Sequence, residues 1–261
     1  KCLVVVFDLE HTGTFKGDTL SDVEIWELGS TMLLFANGHL TPLEGTTGEA
    51  RLNTLVHSTR NMSSGFDRRG QMVGAKAIAL QAGVTAAMLR NAPSLHTVAT
   101  RWQSCINAVR TELSQPSNPL PVVLAAHNGH ALDFKVLTYG LDKAIGSAES
   151  WMNSIGVVSI LDTLRLVNHL PGSVRELLPA TEGGGRKSGK NEHLFATLVP
   201  HEEQRKLGKL SWHHAYDDAV GTAAWLQTSA VVRVLTTLCE QLRGDTLVSL
   251  RQALAVARAK Q

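Results

Sequence analysis

Two short apolar runs frame the chain. Leu3 to Phe7 is continuously apolar and β-branched, the pattern of a strand buried on both faces. Val122 to Ala126 repeats that pattern, and His127, Asn128 and Gly129 end it. From Asp133 onward the period changes: Val136, Leu137 and Leu141 recur at helical spacing. Ala219, Val220, Ala223, Leu226 and Ala230 make a second helical stripe. The stretch from Ala230 to Ala259 also reads as helical, interrupted near Gly244 and Asp245, with Val234, Leu235, Leu238, Leu242, Leu247, Leu250 and Leu254 forming its apolar stripes. These elements predict an α/β domain over residues 1–240 and a helical extension over 241–261. The extension is expected to pack on the domain; the other use of its apolar face is recruitment of a protein partner.

Acidic residues stand where these elements end. Asp8 and Glu10 close the first apolar run (LVVVFDLEHTG). Residues two apart on a strand point to the same side, so the two carboxylates project together, and Thr12 and Gly13 then break the pattern. Asp133 follows the second run. His213 and Asp218 lie far downstream in WHHAYDDAVG. Five residues apart on one helix they would sit about 140° apart around the axis. They share a site only if His213 lies in the loop before the helix and Asp218 in its first turns. Each residue alone has a plainer reading: a solvated strand end for Asp8 and Glu10, a helix N-cap for Asp133, and attraction to a helix dipole for Asp217 and Asp218. His214 and Asp217 are the substitutes if the register is shifted by one.

Together the set has a definite chemistry. Mg²⁺ and Mn²⁺ prefer hard oxygen ligands, and Mg²⁺ is held by a few carboxylates plus water and substrate phosphate. Two such ions, roughly 3.5–4 Å apart, stabilise the attacking and leaving oxygens of an in-line displacement. A histidine, with an ordinary pKa of about 6.5, accepts a proton from water near neutral pH. The expected metal ligands are Asp8, Glu10, Asp133 and Asp218, with Asp8 bridging two Mg²⁺ ions (Mn²⁺ a substitute) and His213 as the base. This is the equipment of phosphodiester hydrolysis.

The same residues carry a family resemblance. FDLEHTG, HNGHALDF and HHAYDDA resemble, in order, the three motifs of the DEDDh-type 3′→5′ exonucleases of the ribonuclease H-like superfamily. The six-residue step from His127 to Asp133 is similar to that of the three-prime repair exonucleases. WELGSTML resembles the family's second strand, AGVTAAMLRNAPSLHTV the approach to its long helix, and SILDTLRL its last strand. The resemblance covers roughly Cys2 to Leu238. It implies a mixed five-stranded sheet flanked by helices, and stepwise release of nucleoside 5′-monophosphates from the 3′ end of single-stranded DNA or RNA. It further implies that His11, Thr12 and Gly13 meet the terminal nucleotide and that Asn128 lies near the scissile bond. His11, where the family often has a small residue, and Thr14, where it often has leucine, depart from the pattern and bear on the terminal-nucleotide pocket. The alternative function is a nuclease-fold scaffold in a nucleoprotein assembly; internal cleavage is a third, disfavoured by the histidine motif.

Composition adds boundaries. With 261 residues, 43% of them hydrophobic, the chain is long enough for a well-buried core. No apolar run approaches the length of a membrane span. Cys2, Cys105 and Cys239 are odd in number and widely spaced, which argues for a reducing, intracellular setting and against a disulfide framework. Because the chain starts at Lys1 rather than Met, a trimmed leader leaves nucleus, cytoplasm and organelle undistinguished. A net charge of +2 is too small for a general nucleic-acid footprint, so local cations matter more. Arg60, Arg68, Arg69 and Lys76 form one such group, and Arg186, Lys187 and Lys190 another. The latter lies in a glycine-rich flap (TEGGGRKSGK) that lacks P-loop spacing. LEGTTGEA (Leu43 to Ala50) reads as a strand connection. His57 and His96 are read as structural, Trp225 as core, and Trp212 as a platform on which a base could stack.

Overall fold

The computed structural model describes residues 1–13, 20–43, 50–60, 62, 65–66, 72–115, 118–181 and 187–242. Its centre is a mixed sheet. Strand β1 (Cys2–His11) lies between β2 (Ile25–Ala36), which is antiparallel to it, and β7 (Val122–Ala126), which is parallel; β8 (Val157–Asp162) continues the sheet in parallel beyond β7. On its other edge β2 pairs first with β3 (His39–Pro42) and then with β4 (Arg51–Leu55). These two meet residues 33–36 and 27–31 of β2 in turn, so six strands fill five positions of the sheet, in line with the five-stranded expectation. A separate small ribbon joins β5 (Gly65–Phe66) and β6 (Met72–Val73).

Side-chain alternation along β1 separates two cores. Leu3, Val5, Phe7 and Leu9 face one way, toward α3 (Leu95–Leu113), α4 (Asp133–Ile145) and α5 (Ala148–Ser154). There Phe7 meets Trp102 and Phe134 edge-on, with ring centroids 5.5 and 5.6 Å apart. Val4 and Val6 face the other way, toward α6 (Thr163–Val167), α8 (Asn191–Leu198), α10 (Ala215–Leu226) and α11 (Ser229–Leu242). Both faces are covered, which is why Leu3 to Phe7 is apolar without interruption. Shorter helices α1 (Ala75–Gln81), α2 (Ala86–Asn91), α7 (Gly172–Arg175) and α9 (His201–Leu207) lie around this frame.

Two boundaries differ from the sequence expectation. Strand β1 continues four residues beyond Phe7, because β2 goes on pairing with it as far as His11. Strand β8 ends at Asp162, whose side chain accepts the Leu164 N–H and starts α6, so the second half of SILDTLRL is helical. Helix α11 packs on the second core through Val231, Val232, Val234 and Leu235, as expected of its apolar stripe. Residues 243–261 of the predicted extension lie outside the described residues, as do Thr14, Arg68, Arg69, Arg186 and most of the Leu43 to Ala50 and glycine-rich loops.

One contact fixes where α10 sits. A Cβ on Gly29 of β2 would fall 2.1 Å from the backbone nitrogen of Tyr216 and 2.2 Å from the carbonyl carbon of Ala215. The helix therefore rests directly on the strand. Gly29→Ala should destabilise the protein by about 3 kcal/mol, the upper part of the range for forced overpacking, as read from urea unfolding. A loss below about 0.5 kcal/mol would mean that α10 moves aside freely.

Candidate active site

The acidic end of β1 lies where the sheet narrows. Strand β7 pairs with β1 only as far as Val6, so beyond that point the β7-side edge of β1 is open. Asp133, the first residue of α4, fills the opening: its Oδ1 accepts the Leu9 N–H at 3.3 Å, and its side chain is buried. Leu132, not Asp133, occupies the N-cap position, and makes no side-chain capping bond. On the β2 side the register slips between Glu10 and His11, where β2 carries Trp26 as an extra residue. Such a bulge twists a strand locally and re-aims its side chains.

The third motif arrives from above the opposite face. His213 has a left-handed backbone (φ 71°), uncommon for a residue other than glycine. Its N–H donates to Asp218 Oδ2 at 2.8 Å, and the Asp218 N–H donates to the His214 carbonyl at 2.9 Å. Loop and first helical turn thus close on each other, which brings two residues five apart into one place. Atoms of Glu10, His213 and Asp218 able to bind a metal all lie within 4.8 Å of one another. Asp8 and Asp133 join them electrostatically: Asp8 is raised by burial and then by Asp133, Asp218 and Glu10. The neighbours in the motif face elsewhere. Asp217 Oδ2 accepts the Ser211 N–H at 2.7 Å, and His214 turns toward Glu27.

Crowded carboxyls hold their protons. Burial first, and then Asp218, Glu27 and Asp133, push Glu10 up to about 9. Burial dominates the rise of Asp133 to about 7 and of Asp218 to about 6, the latter opposed by the His213 N–H and by His213 itself. Four carboxylates that repel one another in a partly desolvated cleft are a hard-oxygen donor set for divalent cations, and bound cations would reverse these shifts.

Other predicted site residues have varied settings. Thr12 is buried, its Oγ1 accepts the Glu24 N–H at 3.0 Å, and its own N–H donates to the Glu24 carbonyl. His11 ends β1 and Gly13 follows Thr12 at the edge of the described segment. Asn128 takes a left-handed conformation (φ 59°) in the loop between β7 and α4. Trp225 is fully buried; Trp212 is half-buried, against Gly221 and edge-on to Phe195. His57 and His96 each place Nδ1 within hydrogen-bond distance of a backbone carbonyl, those of Arg90 and Ala144. The cations are engaged locally: Arg60 pairs with Asp22, Lys187 donates to the Glu176 carbonyl, and Lys190 is 3.8 Å from Glu192.

Three contributors escaped the sequence reading. Glu27 of β2 is buried directly opposite Glu10. Asn191, at the start of α8, takes the Trp225 Nε1–H on its Oδ1 at 2.8 Å and donates its amide to the Asp218 carbonyl at 2.9 Å. An indole N–H only donates, so Trp225 fixes which way the Asn191 amide faces. His127 joins the end of β7 to the loop before α8: its Nε2–H donates to the Gly189 carbonyl (2.8 Å), leaving Nδ1 to accept the Thr163 hydroxyl (3.0 Å).

No protein-family model and no curated protein sequence matches the chain. Solved structures do match its fold. E. coli exonuclease I in complex with a dT13 oligonucleotide superposes over 92% of this chain and 44% of its own, with a TM-score of 0.58 and 16% identity. The zinc-bound form of the E. coli exonuclease I–single-stranded DNA complex gives 92%, 43%, 0.58 and 15%. A 3′-exonuclease solved for its 3′-end specific recognition of histone mRNA stem-loop gives 91%, 83%, 0.51 and 14%. The chain spans a little under half the length of the exonuclease I chains. The fold is the ribonuclease H-like fold of these exonucleases, a mixed sheet flanked by helices.

The raised carboxyls give a stability prediction. Glu10 binds its proton more tightly in the folded chain than in the unfolded one, so without cations the folded state loses stability as pH rises from about 4.5 to about 9. The test belongs above pH ~6.5, because buried His127, held below its ordinary value, adds the opposite trend below it. In EDTA, the melting temperature should fall between pH ~6.5 and ~9, and Glu10→Gln should flatten that fall. Equal slopes for wild type and Glu10→Gln would refute it.

Proposed function

We propose that the protein is a metal-dependent 3′→5′ exonuclease, which removes nucleotides from the 3′ end of single-stranded DNA or RNA as nucleoside 5′-monophosphates. The observation that carries this reading is the convergence of Asp8, Glu10, Asp133 and Asp218 from three separate segments, with His213 against Glu10 and Asp218. A stability argument does not account for the cluster, since buried like charges oppose folding. The fold shared with exonuclease I and with the histone mRNA 3′-exonuclease supports the assignment.

Asp8, Glu10, Asp133 and Asp218 would hold two divalent cations, for which Mg²⁺ fits the all-oxygen donor set and Mn²⁺ is a substitute. When bound, such ions supply charge stabilisation at the phosphate and at the oxygens that enter and leave. The chain's own residues do the rest. His213 is exposed at the rim, so its ring reaches water and takes the proton that water loses on attack at the terminal phosphodiester. The Asp218 Oδ2 bond to the His213 N–H keeps the base beside the acidic set. Asp133, tied to Leu9, holds the strand and helix sides of the cleft together. His11, Thr12 and Gly13, which follow Glu10 in the chain, are proposed to meet the terminal nucleotide, and Asn128, in the loop between β7 and α4, to lie near the scissile bond.

The test is degradation of 5′-labelled single-stranded DNA and RNA of matched sequence with Mg²⁺. Wild type should give a ladder that shortens from the 3′ end, and Asp8→Ala should give none. His213→Ala should slow the reaction by about 10²–10⁴-fold while leaving Mn²⁺ binding detectable. Binding of either strand by wild type without cleavage, in Mg²⁺ and in Mn²⁺, would refute the assignment in favour of a nuclease-fold scaffold.

A further inference from the structure

Glu27 is anomalous. It lies within an apolar strand, only 3% exposed, between Trp26 and Leu28. A carboxyl there is costly unless it is bonded, and one of its oxygens, Oε2, has no hydrogen-bond partner. The other, Oε1, lies 3.4 Å from His214 Nδ1. Ala215 is the first residue of α10, and His214, at the N-cap, makes no side-chain capping bond. The first N–H groups of a helix need acceptors. Glu27, 187 positions before His214 in the chain, is the anion that meets this helix start, through the His214 ring.

The location matters more than the bond. Glu27 and Gly29 are two apart on β2, so they share the face that α10 covers. Gly29 lets the backbone of Ala215 and Tyr216 lie directly on the strand, and Glu27 meets the same turn at His214. That turn holds His213 and Asp218 through the His213 N–H to Asp218 Oδ2 bond and the Asp218 N–H to His214 carbonyl bond. Across the strand pair, Glu27 is the register partner of Glu10. Glu10 and the His213–Asp218 turn are therefore referenced to one point on β2.

We propose that Glu27 is a positioning residue of the active site: by holding His214 from the neighbouring strand, just before α10 begins, it sets His213 and Asp218 against Glu10. The inference rests on the exonuclease reading for its consequence in catalysis, but the clamp itself is a property of the chain. Residues that orient ligands from behind commonly govern metal affinity as strongly as the ligands' own geometry does. Gln at position 27 keeps a carbonyl oxygen facing His214 and loses the charge beside it; Ala removes both.

The experiment compares wild type, Glu27→Gln and Glu27→Ala by Mn²⁺ titration of the nucleic-acid-free protein, by thermal melting in EDTA, and by single-turnover cleavage of a 3′ end. Mn²⁺ affinity should fall in the order Glu, Gln, Ala, with the Ala variant weaker by roughly 10–100-fold, and the cleavage rate should follow that order with substrate affinity unchanged. Because a half-satisfied buried carboxylate is lost, the melting temperature of the Gln variant should not fall. Mn²⁺ affinity equal to wild type in folded Glu27→Ala would overturn the inference, as would a Gln variant whose only defect is a lower melting temperature. An inactive wild type whose Mn²⁺ affinity still follows the Glu, Gln, Ala order would refute the exonuclease reading and leave the clamp standing.

Discussion

Beyond Phe7, strand β1 turns from apolar to acidic without leaving the sheet, and the burial of the carboxyls gathered there, added to by their mutual repulsion, is the constraint that the surrounding structure answers. Each local feature near the site reads as a means of holding negative groups closer than they would choose. Strand β7 stops at Ala126, so that Asp133 can approach the open edge of β1 through a backbone bond and not through another strand. The bulge at Trp26 twists the β1–β2 pair where Glu10 and Glu27 face each other. Asn191 and the His213 N–H both donate toward Asp218.

Two helix N-termini point into this region. Helix α4 begins at Asp133, and α10 carries Asp217 and Asp218 in its first turn. Each helix end carries partial positive charge from its free N–H groups, which favours a nearby anion by a fraction of a kcal/mol to about 1 kcal/mol. That is too little to offset burial and then crowding, which still raise Glu10 to about 9. The two cores supply the remaining restraint. Phe7 against Trp102 and Phe134 fixes β1 from one face, and Ala223, Trp225 and Leu226 fix α10 over the other. Packing of this density resists relaxation, so the carboxyls respond by holding protons and not by moving apart.

The sequence showed the parts whose signals are local. An unbroken apolar run marked β1 and β7 because both lie between two covered faces, and helical periodicity marked α4 and α10. The five-residue step from His213 to Asp218 required a loop followed by a helix, and the chain has that arrangement, with His213 left-handed and α10 starting at Ala215. What stayed hidden depends on pairing between distant segments. Strand β1 extends to His11 only because β2 continues beside it. Glu27 sits in an apolar strand as one acidic residue, and only the register with Glu10 and the arrival of α10 give it a role. A lone glutamate between Trp26 and Leu28, two residues before a strand glycine, was the available signal. Asn191 is less visible still, since its orientation is set by Trp225, 34 residues away.

For Asp218 the plain and the chemical readings do not compete. Asp218 lies in the first turn of α10, where a helix dipole favours it, and its Oδ2 also caps the loop by accepting the His213 N–H. Asp133 opens α4 and closes the exposed edge of β1. Both jobs are the ordinary work of acidic residues at helix starts, and each engages one carboxylate oxygen with a backbone N–H. A helix N-terminus is a place where the backbone already tolerates a carboxylate, so gathering several such termini around one strand end brings together anions that could not be buried side by side in a uniform core. The acidic cluster is thus assembled from local structural solutions, each nearly neutral alone. Only their convergence on Asp8 and Glu10 creates the deficit of positive charge that a divalent cation would fill.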